Sequence, residues 1–132
     1  MLQKFALIVI GGLKYRESCR GYFRKHKILT LPGLYILECL LFIRRNPHYF
    51  DDLLNRNMTR RTIPFYFPRH TLTLTERNAK YMCIRLFNNL PRNFVNILDI
   101  SKFKSEIFKL LVEIEPYSIK EFLEYRSCKF KL

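Results

Sequence analysis

Leu31-Pro-Gly-Leu-Tyr-Ile-Leu-Glu-Cys-Leu-Leu-Phe-Ile43 is the stretch on which the fold turns. Its body, residues 34–43, is apolar nearly all round, with Glu38 the one charge. A helix without a wet face belongs at the centre of a bundle, so this segment is expected to be the buried central helix. Pro32, two residues after Thr30, suits the first turn, where a backbone N–H has no helical partner to lose. Arg44, Arg45 and Asn46 close the helix and Pro47 stops it. The apolar run is shorter than the roughly 20 residues that span a bilayer and carries a carboxylate, which excludes a transmembrane segment.

Working downstream, Ala79, Met82, Cys83, Leu86, Phe87 and Leu90 recur at helical spacing, with Arg77, Lys80 and Arg85 on other faces and Pro91 as the stop. Phe103, Ile107, Leu110, Leu111 and Ile114 mark another helix after Ser101, ended by Pro116. On its exposed side Lys102 with Glu106 and Lys109 with Glu113 are expected to pair at i, i+4. Ser118-x-x-Glu121 matches a capping box, which opens a final short helix through Phe122 and Leu123. Upstream, Leu2, Phe5, Ala6, Val9, Ile10 and Leu13 form the stripe of an amphipathic helix that Gly11 and Gly12 end, and that stripe is expected to dock on something. Lys4 before an apolar run imitates a signal peptide, but no small-x-small cleavage site follows.

Residues 48–70 have no helical period, and Pro64 and Pro68 bar 63–67 from a central strand, so a long loop or short edge strands is expected there. Thr71-Leu-Thr-Leu-Thr75 alternates strictly, as a half-buried strand does. No linker, repeat or low-complexity tract divides the 132 residues. The expectation is one mainly α domain, a small helical body with a long basic loop and at most a short β-hairpin or edge strands.

Composition narrows the function. Apolar residues make up 48% of the chain, enough to bury a core without disulfides, which excludes default disorder. Lys and Arg number 24 against 11 Asp and Glu, a net +13 that favours a polyanion: nucleic acid or an anionic membrane surface. Cys19, Cys39, Cys83 and Cys128 are too scattered for a zinc site, and the four read as intracellular thiols of a nuclear or cytoplasmic protein. His26, His48 and His70 are equally scattered and read as solvated or loop residues. No cofactor motif is present: Gly11-Gly12 lacks the rest of a phosphate loop, and no serine and histidine are spaced as nucleophile and base.

Tyr49-Phe50-Asp51-Asp52 spells the Tyr-x-Asp-Asp of polymerases that hold two magnesium ions on paired carboxylates. That chemistry needs the aspartates at a hairpin tip and a third carboxylate upstream. Here Pro47 precedes the match and only Glu17 and Glu38 lie upstream, so a solvated loop or helix-start aspartate pair is expected instead. Two basic stretches interleaved with aromatics remain. Residues 14–27 hold Lys14, Arg16, Arg20, Arg24 and Lys25, and residues 56–69 hold Arg60, Arg61, Arg69, Phe65 and Tyr66. Such side chains grip phosphates and stack on unpaired bases. The competing account is that the cations are a solvated face and the aromatics are core.

Several blocks resemble the region after the polymerase palm in jockey-like non-LTR retrotransposon reverse transcriptases of animals. They are Gly12-Leu-Lys-Tyr-Arg-Glu-Ser-Cys-Arg20, Lys27-Ile-Leu-Thr-Leu-Pro-Gly-Leu-Tyr35, Pro68-Arg-His-Thr-Leu-Thr-Leu-Thr-Glu-Arg77 and Tyr81-Met-Cys-Ile-Arg-Leu-Phe-Asn-Asn-Leu-Pro91, followed by Phe103-Lys and Tyr117-Ser-Ile-Lys-Glu-Phe-Leu123. The blocks are collinear and cover nearly the whole chain. The resemblance implies a non-catalytic C-terminal fragment, with residues 1–13 the end of a thumb-like helix and the palm with its aspartates upstream. It implies contact with RNA or target DNA during target-primed reverse transcription, with little sequence specificity. The chain departs from the family where a His-x-Tyr-x-Thr-Arg block is common: Asn55-Arg-Asn-Met-Thr-Arg60 keeps only Thr59 and Arg60, and Cys83 replaces a common glycine. Two other expectations stand beside this one: a helical interaction module that self-associates through its first helix, and an open reading frame of element origin without selected function.

Overall fold

The computed structural model describes residues 2–14, 16–17, 19–56, 64–67 and 78–129, with side chains as far as residue 125. The central helix is α3, Leu31–Arg45, preceded by α1, Leu2–Gly11, and α2, Tyr22–His26. A 3-10 helix, Pro47–Leu53, follows, and then α4, Ala79–Asn88, α5, Arg92–Val95, α6, Ile100–Ile114, and α7, Ile119–Lys129. The mainly helical fold expected from the pattern is the one observed.

Helix α3 begins where its chemistry says. The Thr30 hydroxyl accepts from the Gly33 N–H at 3.1 Å and donates to the Pro116 carbonyl, so one buried side chain caps the helix and ties it to the end of α6. The helix stops at Arg45, with Asn46 as its C-cap, directly before Pro47. It packs chiefly against α4 and α6. Helix α4 runs in the same direction, since Cys39 meets Cys83 and the Arg44 guanidinium lies 5.2 Å from the Phe87 ring centre. Helix α6 runs oppositely, because Arg44 also covers Phe103 at 4.9 Å while Thr30 meets Pro116 at the other end. Ile36, Leu40, Leu41, Ile84, Leu86, Phe103 and Ile107 are fully enclosed between them, each stabilising the fold by about 2 kcal/mol.

The burial of α3 is less complete than its composition predicts. Leu31, Leu34, Tyr35, Glu38 and Phe42 share one exposed stripe, because α4 and α6 cover two sides of the helix and the third is only edged, by Tyr49 and Phe50 at Phe42 and by Ile119 toward the other end. Of the face expected for α4, Cys83, Leu86, Phe87 and Leu90 are buried and Met82 is half-buried, while Ala79 is exposed and Ile84, outside that stripe, is fully buried. On α6, Phe103, Ile107 and Leu111 are buried, but Lys109 reaches back to Glu106 at 3.1 Å and not on to Glu113. The capping box forms with a shift. Ser118 Oγ accepts from the Glu121 N–H at 3.0 Å, while the Glu121 carboxylate accepts from the N–H of Tyr117, one residue earlier than the motif predicts, at 3.2 Å.

The segment after α3 opens with the 3-10 helix, not a loop; its three-residue turn leaves no 3.6-residue period to read. Phe50 anchors it, edge-on to Phe42, Tyr49 and Phe65. Leu54 then pairs antiparallel with Phe65, with Tyr66 N–H donating to the Leu53 carbonyl at 2.8 Å and Asn55 N–H to that of Pro64 at 2.9 Å. This is the one β pairing among the described residues. The strand expected over 71–75 lies outside them.

Helices α1 and α2 form an annex with its own small core of Leu7, Cys19 and Phe23. The expected docking stripe of α1 is its exposed side. Leu2, Phe5, Val9 and Ile10 face outward, Val9 at 82%, while Leu7 is buried at 3%. The opposite face carries Gln3, whose amide donates to the Leu29 carbonyl at 2.7 Å and accepts from the Leu31 N–H at 2.9 Å. Two specific backbone bonds decided the face, against the larger apolar stripe. Among the described residues no helix is long and apolar enough to cross a membrane.

Candidate nucleic-acid interface

The basic stretch 14–27 is shaped by a buried acid. Glu115 ends α6 in the left-handed conformation, φ 50°, and turns its carboxylate under α2. The Gly21 N–H donates to both of its oxygens, at 2.9 and 3.1 Å, and the Arg24 N–H to one, at 2.6 Å. Gly21 sits at φ 83°, where a glycine is needed to aim its N–H at the carboxylate. A charge that is otherwise costly to bury thus satisfies the orphan donors at the start of α2.

The stretch divides its cations into two kinds. Arg24 donates to the Glu113 carbonyl at 2.6 Å, at the negative end of α6. Arg20 pairs with Glu121 at 3.1 Å and stacks 4.6 Å from the centre of the Tyr117 ring. These two hold the annex to the body. Lys14, Arg16, Lys25 and Lys27 are exposed, with Lys4 of α1 nearby across a cleft. That cleft, about 710 Å³, runs between α1, α2 and the start of α3, and Lys4, Arg20, Phe23, Leu31, Pro32 and Tyr117 line it. Phe23 meets Tyr117 edge-on at 6.1 Å. Burial pushes the Tyr117 hydroxyl above its ordinary value, so the phenol stays neutral.

The second stretch sits elsewhere. Phe65 lies at the far end of α3, about 22 Å away by the rise of a 15-residue helix. Its ring is buried at 8%, edge-on to Phe50 and Phe87, so this residue is core and its faces are not open to a base. Asn88 fixes its backbone from both sides, accepting from the Phe65 N–H at 3.0 Å and donating to its carbonyl at 2.9 Å. Tyr66 is exposed, as is Arg56. Arg60, Arg61 and Arg69 lie outside the described residues. The described part of the second stretch, Arg56 and residues 64–67, is therefore apart from 14–27, of which all but Tyr15 and Ser18 is described.

Asp51 and Asp52 are exposed on the 3-10 helix, with His48 3.3 Å from Asp51 and Lys80 3.8 Å from Asp52. The aspartate pair stands on a turn of helix, where one carboxylate projects away from the other's partner. Among the described residues no three His, Cys, Asp or Glu side chains are grouped to hold a metal. Cys19, Cys39 and Cys83 are buried free thiols. Cys83 hydrogen-bonds to Cys39 and holds its thiol down to about 7, with the Tyr35 hydroxyl adding to the effect. In return Cys83 is pushed well above the thiol range, and burial, with the bond to Cys39, pushes Tyr35 up to about 12.

Glu115 and Tyr117 are the site residues that the pattern did not single out. The signal was the Glu115-Pro116 pair at the end of a helical run, where a residue that cannot continue the helix is free to serve another element. No family model matches the chain, and neither the curated proteins nor the solved structures include a match to it.

Proposed function

We propose that this chain binds the phosphate backbone of RNA or DNA without catalysis, using residues 14–27 as its main contact. The observation that carries the reading is the division of labour among the charges: Glu115 and Glu121 are consumed within the fold, while Lys14, Arg16, Lys25 and Lys27 stay exposed. Glu115 is turned inward and Glu121 is committed to Arg20, which leaves the exposed Glu17 as the one acid within the stretch. Descent from the C-terminal region of a non-LTR reverse transcriptase is part of the proposal and rests on the collinear sequence blocks. In that role the domain holds template or primer while a palm elsewhere does the chemistry.

Fluorescence anisotropy with a labelled single-stranded RNA tests the binding. Four to five phosphate contacts give log Kd against log salt a slope of about 3. Weak, salt-insensitive retention would contradict the proposal. Descent is tested by the genomic DNA upstream of the Met1 codon, where a palm sequence with its own aspartate pair, in frame or frameshifted, is expected. An unrelated flank would count against it. A second reading, self-association, is favoured by the outward stripe of Leu2, Phe5 and Val9. It predicts a concentration-dependent dimer in size exclusion that disappears when Phe5 and Val9 become polar.

A further inference from the structure

We infer that the cleft between α1, α2 and the start of α3 receives one unstacked nucleobase of the bound strand. The inference rests on the nucleic-acid reading above and names a site within it. The cleft's volume, about 710 Å³, falls within the range of small-ligand sites and is ample for one nucleotide. Its walls are apolar and aromatic, from Phe23, Leu31, Pro32 and Tyr117. Two cations, Lys4 and Arg20, line it from opposite elements. A flat apolar ring that carries an anion on a short tether satisfies both features at once, and a nucleotide is such a group.

The Arg20 guanidinium already lies 4.6 Å from the centre of the Tyr117 ring, held by Glu121 at 3.1 Å. A base entering the cleft joins this cation and ring in a stack. Lys4, across the cleft, is placed to meet the phosphate. Lys14, Arg16 and Lys25, exposed on the same stretch of chain as Arg20, are available to the neighbouring nucleotides.

The same geometry says which bases enter. Reading a base edge takes uncommitted donors and acceptors. Thr30 spends its hydroxyl on Gly33 and Pro116, and Gln3 spends both ends of its amide on the backbone of Leu29 and Leu31. Besides the Lys4 ammonium, the Arg20 guanidinium and the Tyr117 hydroxyl little is left to read a base edge, so the cleft offers mainly stacking and accepts purines and pyrimidines alike.

Photo-cross-linking of the full chain to a short single-stranded RNA carrying one 5-iodouracil, followed by peptide mapping, tests the site. The expected cross-link is at Tyr117. Tyr117→Leu abolishes it and weakens anisotropy-measured binding about tenfold, the loss of one stacked base. Tyr49→Leu, at an exposed aromatic outside the cleft, leaves both unchanged. A 5-iodocytosine probe gives the same map. Binding that persists with the cross-link elsewhere, or with none, overturns the cleft while leaving the backbone-binding proposal standing. Absence of any RNA binding overturns both together.

Discussion

The body and the annex are held by opposite means. The body is built on apolar contacts around α3, α4 and α6, which supply thirteen of the seventeen buried side chains of one cluster among the described residues. The annex buries only Leu7, Cys19 and Phe23, and is fastened by Glu115 under α2, Arg24 on the Glu113 carbonyl, Arg20 on Glu121 and Gln3 across to α3. Apolar burial gives a body that leans little on charge pairs that salt would screen. Charged and hydrogen-bonded fastenings give an annex that keeps many polar side chains in defined places, at the cost of intrinsic stability. A phosphate-binding surface needs the second kind of construction supported by the first.

The contrast breaks most visibly in the body. Leu40→Ala, at a fully enclosed position on α3, is expected to cost about 3 kcal/mol and to lower the urea midpoint of the body. If the midpoint does not move, α3 is not the centre of the core.

Glu115→Ala is expected to cost about 2 kcal/mol, because it strands the Gly21 and Arg24 N–H groups that the carboxylate satisfies. The loss should be local. Hydrogen exchange at the α2 amides accelerates by more than an order of magnitude while that of α3 changes little. Equal acceleration in both would mean that annex and body unfold as one unit and would remove the distinction.

A smaller effect sharpens the comparison through pH. The Cys39 thiol is held down to about 7 by its bond from Cys83, against an ordinary 9.0. Between pH 7 and 9 the native body therefore binds fewer protons than the unfolded chain, and its stability rises with pH across that window. Below about 7 the contribution is gone. Urea midpoints at pH 7 and pH 9 should differ in that direction, and Cys39→Ser should flatten the difference. A fall in stability over the same window would contradict the assigned hydrogen bond.

Most of the body was legible in the sequence, since α3, α4 and α6 announce themselves by apolar spacing and by Thr30, Pro47, Pro91 and Pro116 at their ends. The annex was not. The apolar stripe of α1 argued for one docking face, and two hydrogen bonds from Gln3 with the burial of Leu7 placed the other inward. A five-residue helix such as α2 is too short to show a period, and its cap comes from Glu115, more than 90 residues on, which no local pattern can signal. For the same reason Arg20 and Arg24 read as members of a cationic patch, although each has a structural partner. Phe65 carried the opposite error, an apparent stacking residue that the pairing with Leu54 and the grip of Asn88 draw into the core.

The claim that the annex, and not net charge at large, makes the nucleic-acid surface is tested most directly by two variants of equal charge loss. One replaces Lys14, Arg16 and Lys25 by alanine; the other replaces Lys102, Lys104 and Lys109, three exposed lysines of α6. Anisotropy with the same single-stranded RNA over a salt series compares them. The annex variant is expected to lose most of its affinity and to flatten the salt slope by about 2, while the α6 variant stays close to the parent chain. Equal losses in the two, or a greater loss in the α6 variant, would contradict the account.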